Sequence, residues 1–143
     1  MDKLEGTFYH QLDQKNRIRL PHKVKGGLGD KPYITLLSSG CLAVYPDEMW
    51  SEKVKLLDAV PTTDTEAFKR VVKIHSNTFL LEYDPQGRAF LPEKLRKLAK
   101  LAKDVVTVGM GKYVVIWDKS IFDGEIEEDE TLADMSSLKG YGF

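Results

Sequence analysis

The chain has 143 residues, a single cysteine and a formal net charge of −1, with 30% of its residues charged and 42% hydrophobic. That length suits one compact domain with an ordinary core and leaves little for two independent ones. No apolar run approaches the roughly 20 residues that span a bilayer, residues 1–5 lack the apolar stretch of a secretory signal, and Cys41 has no partner for an internal disulfide, which fits a reducing compartment.

The small net charge conceals a sorted distribution. From Asp123 to the end, seven acids stand against Lys139 alone, a net −6, which leaves about +5 on the residues before them. Lys15, Arg17, Arg19, Lys23 and Lys25 fall within eleven residues that contain no acid, the footprint a polyanion requires.

In chain order, the first landmark is Asp13-Gln14-Lys15-Asn16-Arg17-Ile18-Arg19-Leu20-Pro21. It returns as Asp84-Pro85-Gln86-Gly87-Arg88-Ala89-Phe90-Leu91-Pro92, at an offset of 71 that also aligns Thr7 with Thr78, Gly40 with Gly111 and Asp47 with Asp118. A repeat of this kind predicts two like-folded units that share a core, with a pseudo-two-fold axis and two equivalent surfaces. In each copy a strand leads into a turn at the aspartate, and a return strand follows and ends at the proline. Asn16 and Gly87 occupy one position, and both residue types tolerate positive φ, so their exchange reports a backbone requirement. Asp13 and Asp84 are placed to accept turn N–H groups and to pair with Arg17 and Arg88. Each arginine then either pins its hairpin or presents a planar donor fork to phosphate or a guanine edge, or does both.

Next comes residues 21–29, whose glycines predict no more than a turn or so of helix, and then strands at 33–37 and 41–45 around a tight turn at 38–40. Cys41 belongs to that apolar run and is expected to be a core thiol. Residues 46–57 carry Met49, Trp50, Val54 and Leu57 at helical spacing. After Pro61, a capping box from Thr63 to Glu66 opens a second helix with Phe68, Val71, Val72 and His75 on one face; the apolar residues of this helical hairpin are expected to pack on the sheet, the commoner arrangement, or on a neighbouring subunit. The second copy follows: a strand at 78–83, the turn, a return strand, and a helix over 92–102 with Leu95, Leu98 and Ala102 on its buried face. Strands at 105–108 and 113–117 complete it, and the acidic tail is read as a short helix from about Thr131 or as disorder. The division is a first repeat over 7–50, a helical connection over 51–77, a second repeat over 78–121 and a tail over 122–143.

No catalytic constellation is legible. His10, His22 and His75 stand in different elements without metal-ligand spacing, Gly26-Gly27-x-Gly29 lacks the rest of a phosphate loop, and no nucleophile has an attendant base. The expectation is a non-enzyme with no metal, cofactor or small-molecule substrate.

Asp13 to Arg17 with Pro21, and Asp84 to Arg88 with Pro92, resemble the motif of the MraZ family, whose chains carry two SpoVT/AbrB-type repeats, each with Asp-x-x-x-Arg in an Asp-x-Lys-Gly-Arg-x-x-x-Pro setting. Asn16 replaces the usual glycine, and Val115-Ile116-Trp117-Asp118 extends the likeness. The resemblance implies a mainly β fold with an α insert, a swapped-hairpin β-barrel similar to AbrB and MazE, built here within one chain. It implies a cytoplasmic, nucleoid-associated bacterial transcription regulator of the cell-division and cell-wall gene cluster that holds its own gene. A ring-like homo-oligomer would bind direct repeats in double-stranded DNA, with Arg17 and Arg88 facing DNA and Lys15, Arg19 and Lys23 on phosphates. Because Arg19 matches Phe90, the first copy is expected to dominate binding. The alternative is an antitoxin-like interaction module that binds a protein partner through its acidic tail.

Overall fold

The computed structural model describes residues 3–132 and 134–143. It is a mixed α+β fold in which β1 (Thr7–Gln11), β3 (Tyr33–Leu36), β4 (Leu42–Tyr45), β5 (Thr78–Leu80), β7 (Asp104–Gly109) and β8 (Val114–Asp118) form one antiparallel sheet in the order β1-β7-β8-β4-β3-β5. The order is a palindrome under the 71-residue offset, with the pseudo-dyad between β8 and β4. The first strand of each copy therefore pairs outside its own repeat: β1 lies against β7, with Tyr9 opposite Val106, and β5 lies against β3, with Phe79 opposite Ile34.

The return strands β2 (Arg17–Arg19) and β6 (Arg88–Phe90) pair with each other across the same dyad as a separate two-stranded ribbon. Among the described residues the first copy closes no strand-to-strand hairpin of its own, and in the second only the antiparallel bridge between Tyr83 and Ala89, with Phe90 N–H donating to the Glu82 carbonyl at 3.0 Å, ties β6 back to the segment before its turn. This corrects the expectation of two equivalent surfaces, because the two motifs merge into a single one.

Strand alternation divides the buried residues between two layers. Ile34, Leu42, Val44, Val105, Val114 and Ile116 face the ribbon's Ile18 and Ala89 in the larger cluster, while Cys41, Ala43, Tyr45, Val106, Val115 and Trp117 form the other face. Covered on both sides, β4 and β8 read as unbroken apolar runs. Cys41 is a buried thiol, with Ser39 Oγ 3.3 Å from its sulfur.

Helices α1 (His22–Leu28) and α4 (Glu93–Leu98) follow the two ribbon strands and supply Val24, Leu28 and Leu95 to the larger cluster. Both differ in length from the sequence expectation. Helix α1 runs seven residues despite its glycines, because Val24 and Leu28 are buried and packing overrides propensity. A Cβ on Gly27 would lie 2.5 Å from Leu4 Cδ2, so a side chain there would have to displace the buried Leu4 side chain. Helix α4 is shorter than 92–102: Lys100 takes positive φ (55°), Leu101 N–H donates to Arg96 C=O, and Lys100 N–H to Lys97 C=O, a Schellman closure. Leu98 is consequently exposed and Ala99 is buried in its place. The 71-residue equivalent of Lys100 is Gly29, also at positive φ (78°).

Helix α2 (Asp47–Asp58) covers the outer face through Trp50, stacked between Tyr45 and Tyr33. Helix α3 (Thr65–Ser76) is capped by the Asp64 carboxylate, which accepts from Ala67 N–H at 3.2 Å, rather than by Thr63. None of its residues is buried, and Phe68 and Val72 are exposed, which corrects the expectation that this face packs on the core. The chain after β8 turns into α5 (Lys119–Phe122), whose Phe122 packs on Trp117, continues as a wide turn over Asp123–Glu127, and ends in 3-10 segments at Glu130–Leu132 and Met135–Tyr141. Helical structure thus begins before Thr131 and is wound differently.

Candidate functional site

The ribbon register sets Arg17 opposite Phe90, Ile18 opposite Ala89 and Arg19 opposite Arg88. Strand alternation sends Ile18 and Ala89 into the core, at 1% and 0% exposure, and turns Arg17, Arg19, Arg88 and Phe90 outward. Three arginines from the two motifs therefore share one short face.

Each arginine is held by the turn before it. Asp13 Oδ1 accepts from the N–H groups of Lys15 and Arg17, both at 2.9 Å, and Asp13 Oδ2 accepts from Arg17 Nε at 2.8 Å. Asp84 repeats the pattern with Gln86 N–H, Arg88 N–H and Arg88 Nε, at 2.9, 2.8 and 2.6 Å. Asn16 and Gly87 both sit at positive φ, 60° and 79°, and their N–H groups donate to the carbonyls of Asp13 and Asp84. The spacing of the motif is thus the spacing of an Asx turn whose carboxylate also reaches the guanidinium.

Between the two aspartate–arginine pairs the pseudo-symmetry fails at one bond. Arg17 Nη1 also donates to Asp84 Oδ2 at 3.1 Å, whereas no bond from Arg88 to Asp13 is formed among the described residues. Arg17 bridges both motifs, lies 5.8 Å from the Phe90 ring centroid and has a side chain only 13% exposed. The Arg88 side chain is 28% exposed and spends only its Nε on Asp84. Arg19 is exposed, and its Nη1 donates to the Gln86 carbonyl at 3.0 Å. Lys15 and Lys23 are exposed on the first turn and on α1. Lys25 leans over the Tyr83 ring, 5.0 Å from its centroid.

The like-charged pair Arg19 and Arg88, directly opposite on a ribbon, opposes strand pairing unless an anion lies between them. The arrangement can accept a polyanion; it offers no nucleophile, and among the described residues no three His, Cys, Asp or Glu side chains converge as metal ligands.

Hydrogen bonds from Arg17, its backbone N–H foremost, hold the Asp13 carboxyl below its usual 3.8. Burial pushes Asp84 up, but the combined bonds from the Arg88 N–H, the Arg88 guanidinium and the Gln86 N–H outweigh it and leave the carboxyl low. His10 joins the ribbon to the sheet: its Nδ1–H donates to the Arg19 carbonyl at 3.3 Å, and its Nε2 accepts from the Thr107 hydroxyl at 2.7 Å. Burial lowers its pKa below 6.5, partly offset by the bond to Arg19. The unfolded chain therefore takes up a proton at His10 before the folded one does. Stability is expected to fall as pH drops below about 6.5 toward the folded value and to be flat above it, while the carboxylate contribution is lost only below about 3.8. Urea midpoints measured from about pH 7.5 to about pH 5 check this, and His10→Gln is expected to flatten that range.

Sequence reasoning overlooked Arg96 and Lys103, which with Leu12, Asp13, Gln14 and Asn16 line a cleft beside the first turn. The repeat held the signal, since Arg96 is the equivalent of Lys25 at the 71-residue offset.

The model of the MraZ protein family, described as antitoxin-like, matches this chain twice, over residues 4–71 and 74–137. The transcriptional regulator MraZ of Desulforamulus reducens is 39% identical, with 82% of this chain and 83% of that protein covered. The protein of the same name from Clostridium beijerinckii is 36% identical, with 93% and 92% covered, and that from Moorella thermoacetica is 38% identical, with 80% of each covered.

Proposed function

Since the chain belongs to the MraZ family, we propose that it is a DNA-binding transcription regulator whose β2–β6 ribbon faces the duplex. The observation that carries this reading is the convergence of both Asp-x-x-x-Arg motifs on one outward face, with Arg19 and Arg88 side by side. Lys15 and Lys23 lie beside the ribbon on the first-copy side, where they would meet phosphates and make binding strongly salt-dependent. Arg17 belongs to the site as the residue that holds the two turns together, and Asp13, Asn16, Asp84 and Gly87 shape those turns.

In this reading the ribbon closes the exchanged strands of the sheet into a swapped-hairpin barrel like that of AbrB and MazE, and the divisions at 7–50, 51–77, 78–121 and 122–143 are two repeats, a helical connection and a tail. Several copies assemble in a ring, and each engages one of a set of direct repeats upstream of the cell-division and cell-wall genes. Avidity then compensates for weak single contacts. The unburied apolar face of α3 supports assembly between copies. The protein acts in the cytoplasm at the nucleoid, without catalysis.

A second reading has its own support: Leu132, Met135, Leu138 and Tyr141 are exposed along the acidic tail, which suits a protein partner of the kind an antitoxin-like family would bind. A mobility shift with the DNA upstream of the chain's own gene, run over a salt series with and without residues 123–143, separates the two. A shift that weakens steeply with salt and survives loss of the tail is expected; no shift at low salt would favour the interaction module.

A further inference from the structure

We infer that the cleft beside the first turn is a phosphate-binding site that grips the nucleic-acid backbone next to the ribbon. This rests on the reading of the ribbon as DNA-facing. The cleft is open, with a volume of about 370 Å³, room for a phosphodiester with part of its sugar, and its cationic groups are Arg96 and Lys103. Arg96 is anchored by Nε–H donation to the Leu91 carbonyl at 3.0 Å, and among the described residues its two terminal nitrogens have no partner. A guanidinium fixed through Nε with its terminal N–H groups facing solvent is preorganised for a phosphate. Lys103 is exposed at the end of the loop that the positive φ of Lys100 creates.

The acids nearby are engaged elsewhere. Both oxygens of Asp13 are committed to turn N–H groups and to Arg17, Asp118, beneath the loop, accepts from the N–H groups of Ala102 and Ile121, and Glu93, one turn before Arg96 and close enough to feel its charge, is paired with Lys97 Nζ at 3.0 Å. Gln14 and Asn16 add neutral polar side chains to the wall.

The equivalent place in the second copy is altered at each key position. Tyr83 replaces Leu12, and Lys25 lies over its ring instead of facing open space. Asp30 replaces Leu101, Lys31 replaces Ala102 and Pro32 replaces Lys103, so the lysine of the second copy is shifted by one position and has an acid beside it where the first copy is apolar. The two flanks of the ribbon therefore differ: the first-copy cleft has no acid at the position of Asp30, and its Arg96 is not drawn over an aromatic ring as Lys25 is.

The test uses the full chain and a fluorescent duplex of random sequence, titrated by anisotropy over a potassium chloride series. Lys103→Gln and the double variant Arg96→Gln/Lys103→Gln are compared with wild type, the single variant being at an exposed position that cannot compromise folding. The double variant is expected to lose affinity roughly tenfold at low salt, equally for random and upstream DNA, with the slope of log affinity against log salt shallower by about 1. The single variant should show a part of both changes. Unchanged affinity and slope in both, while Arg19→Ala/Arg88→Ala still weakens binding, would overturn the cleft and leave the ribbon reading intact. Failure of wild type to bind any duplex would remove both. Inorganic phosphate is the other arm: if it raises the melting temperature of wild type but not of Lys103→Gln, and DNA binding is equal in the two, the cleft serves a free anion and the backbone assignment falls.

Discussion

Arg17→Ala is expected to lower folding stability by about 2–3 kcal/mol, measured as the change in urea midpoint at constant slope. The side chain is 13% exposed and, among the described residues, is the only one bonded to both motif carboxylates. Removing it leaves Asp84, 5% exposed, with a single guanidinium, strips Asp13 of its cation and uncovers Phe90. Arg17→Lys is not expected to rescue the loss, because an ammonium on a flexible stem cannot span two carboxylates as a rigid fork does. DNA affinity should fall in proportion to the loss of ordered ribbon and recover when the folded state is favoured by cooling or a stabilising osmolyte. Wild-type stability together with lost affinity would return Arg17 to the role of base reader that its motif position suggests.

The double variant Arg19→Ala/Arg88→Ala is expected to act mainly on binding, with DNA affinity reduced by about 2–5 kcal/mol and stability lowered by about 1 kcal/mol, less than for Arg17→Ala. These two residues are directly opposite on the ribbon, so their removal relieves a like-charge pairing while taking away the outward donors of the ribbon. The loss at Arg88 is confined to one bond from Nε to Asp84, whose turn is still closed by the N–H groups of Gln86 and Arg88. Anisotropy titrations of each single variant and the double complete a cycle, and a coupling energy above about 0.5 kcal/mol would mean that both arginines grip the same stretch of DNA. Unchanged affinity in the double variant would move the interface off the ribbon.

Much of the site was legible beforehand because turn chemistry is local. An aspartate, a positive-φ residue three positions on and an arginine one beyond that specify an Asx turn closed by an ion pair, whatever surrounds them, and Asn16 in the place of glycine identifies the strained position. The strands were legible for a similar reason, since apolar runs such as Val114 to Trp117 are long enough to mark a strand with both faces covered. The repeat offset likewise announced the pseudo-dyad, through pairs such as Gly40 with Gly111, both at positive φ.

Strand pairing was not legible, and the reason is physical. Two copies of one unit offer each strand two nearly identical partners, one near in sequence and one a repeat away, and alternation of side chains is the same for either. Only the closing of the core selects β1 with β7 and β2 with β6. Helix lengths followed the same rule: α1 outlasted its glycines because Val24 and Leu28 found a core, and α4 ended in the Schellman closure at Lys100, after which Ala102 N–H donates to the Asp118 carboxylate at the end of β8. The sequence by itself determined the turns, the strands and the charge they carry, all of which depend on neighbours a few residues apart. Which arginine is bound inside and which are left to meet a partner was decided by the fold, since Arg17 reaches Asp84 over 67 residues of chain and Arg19 meets Arg88 only because the two return strands lie side by side.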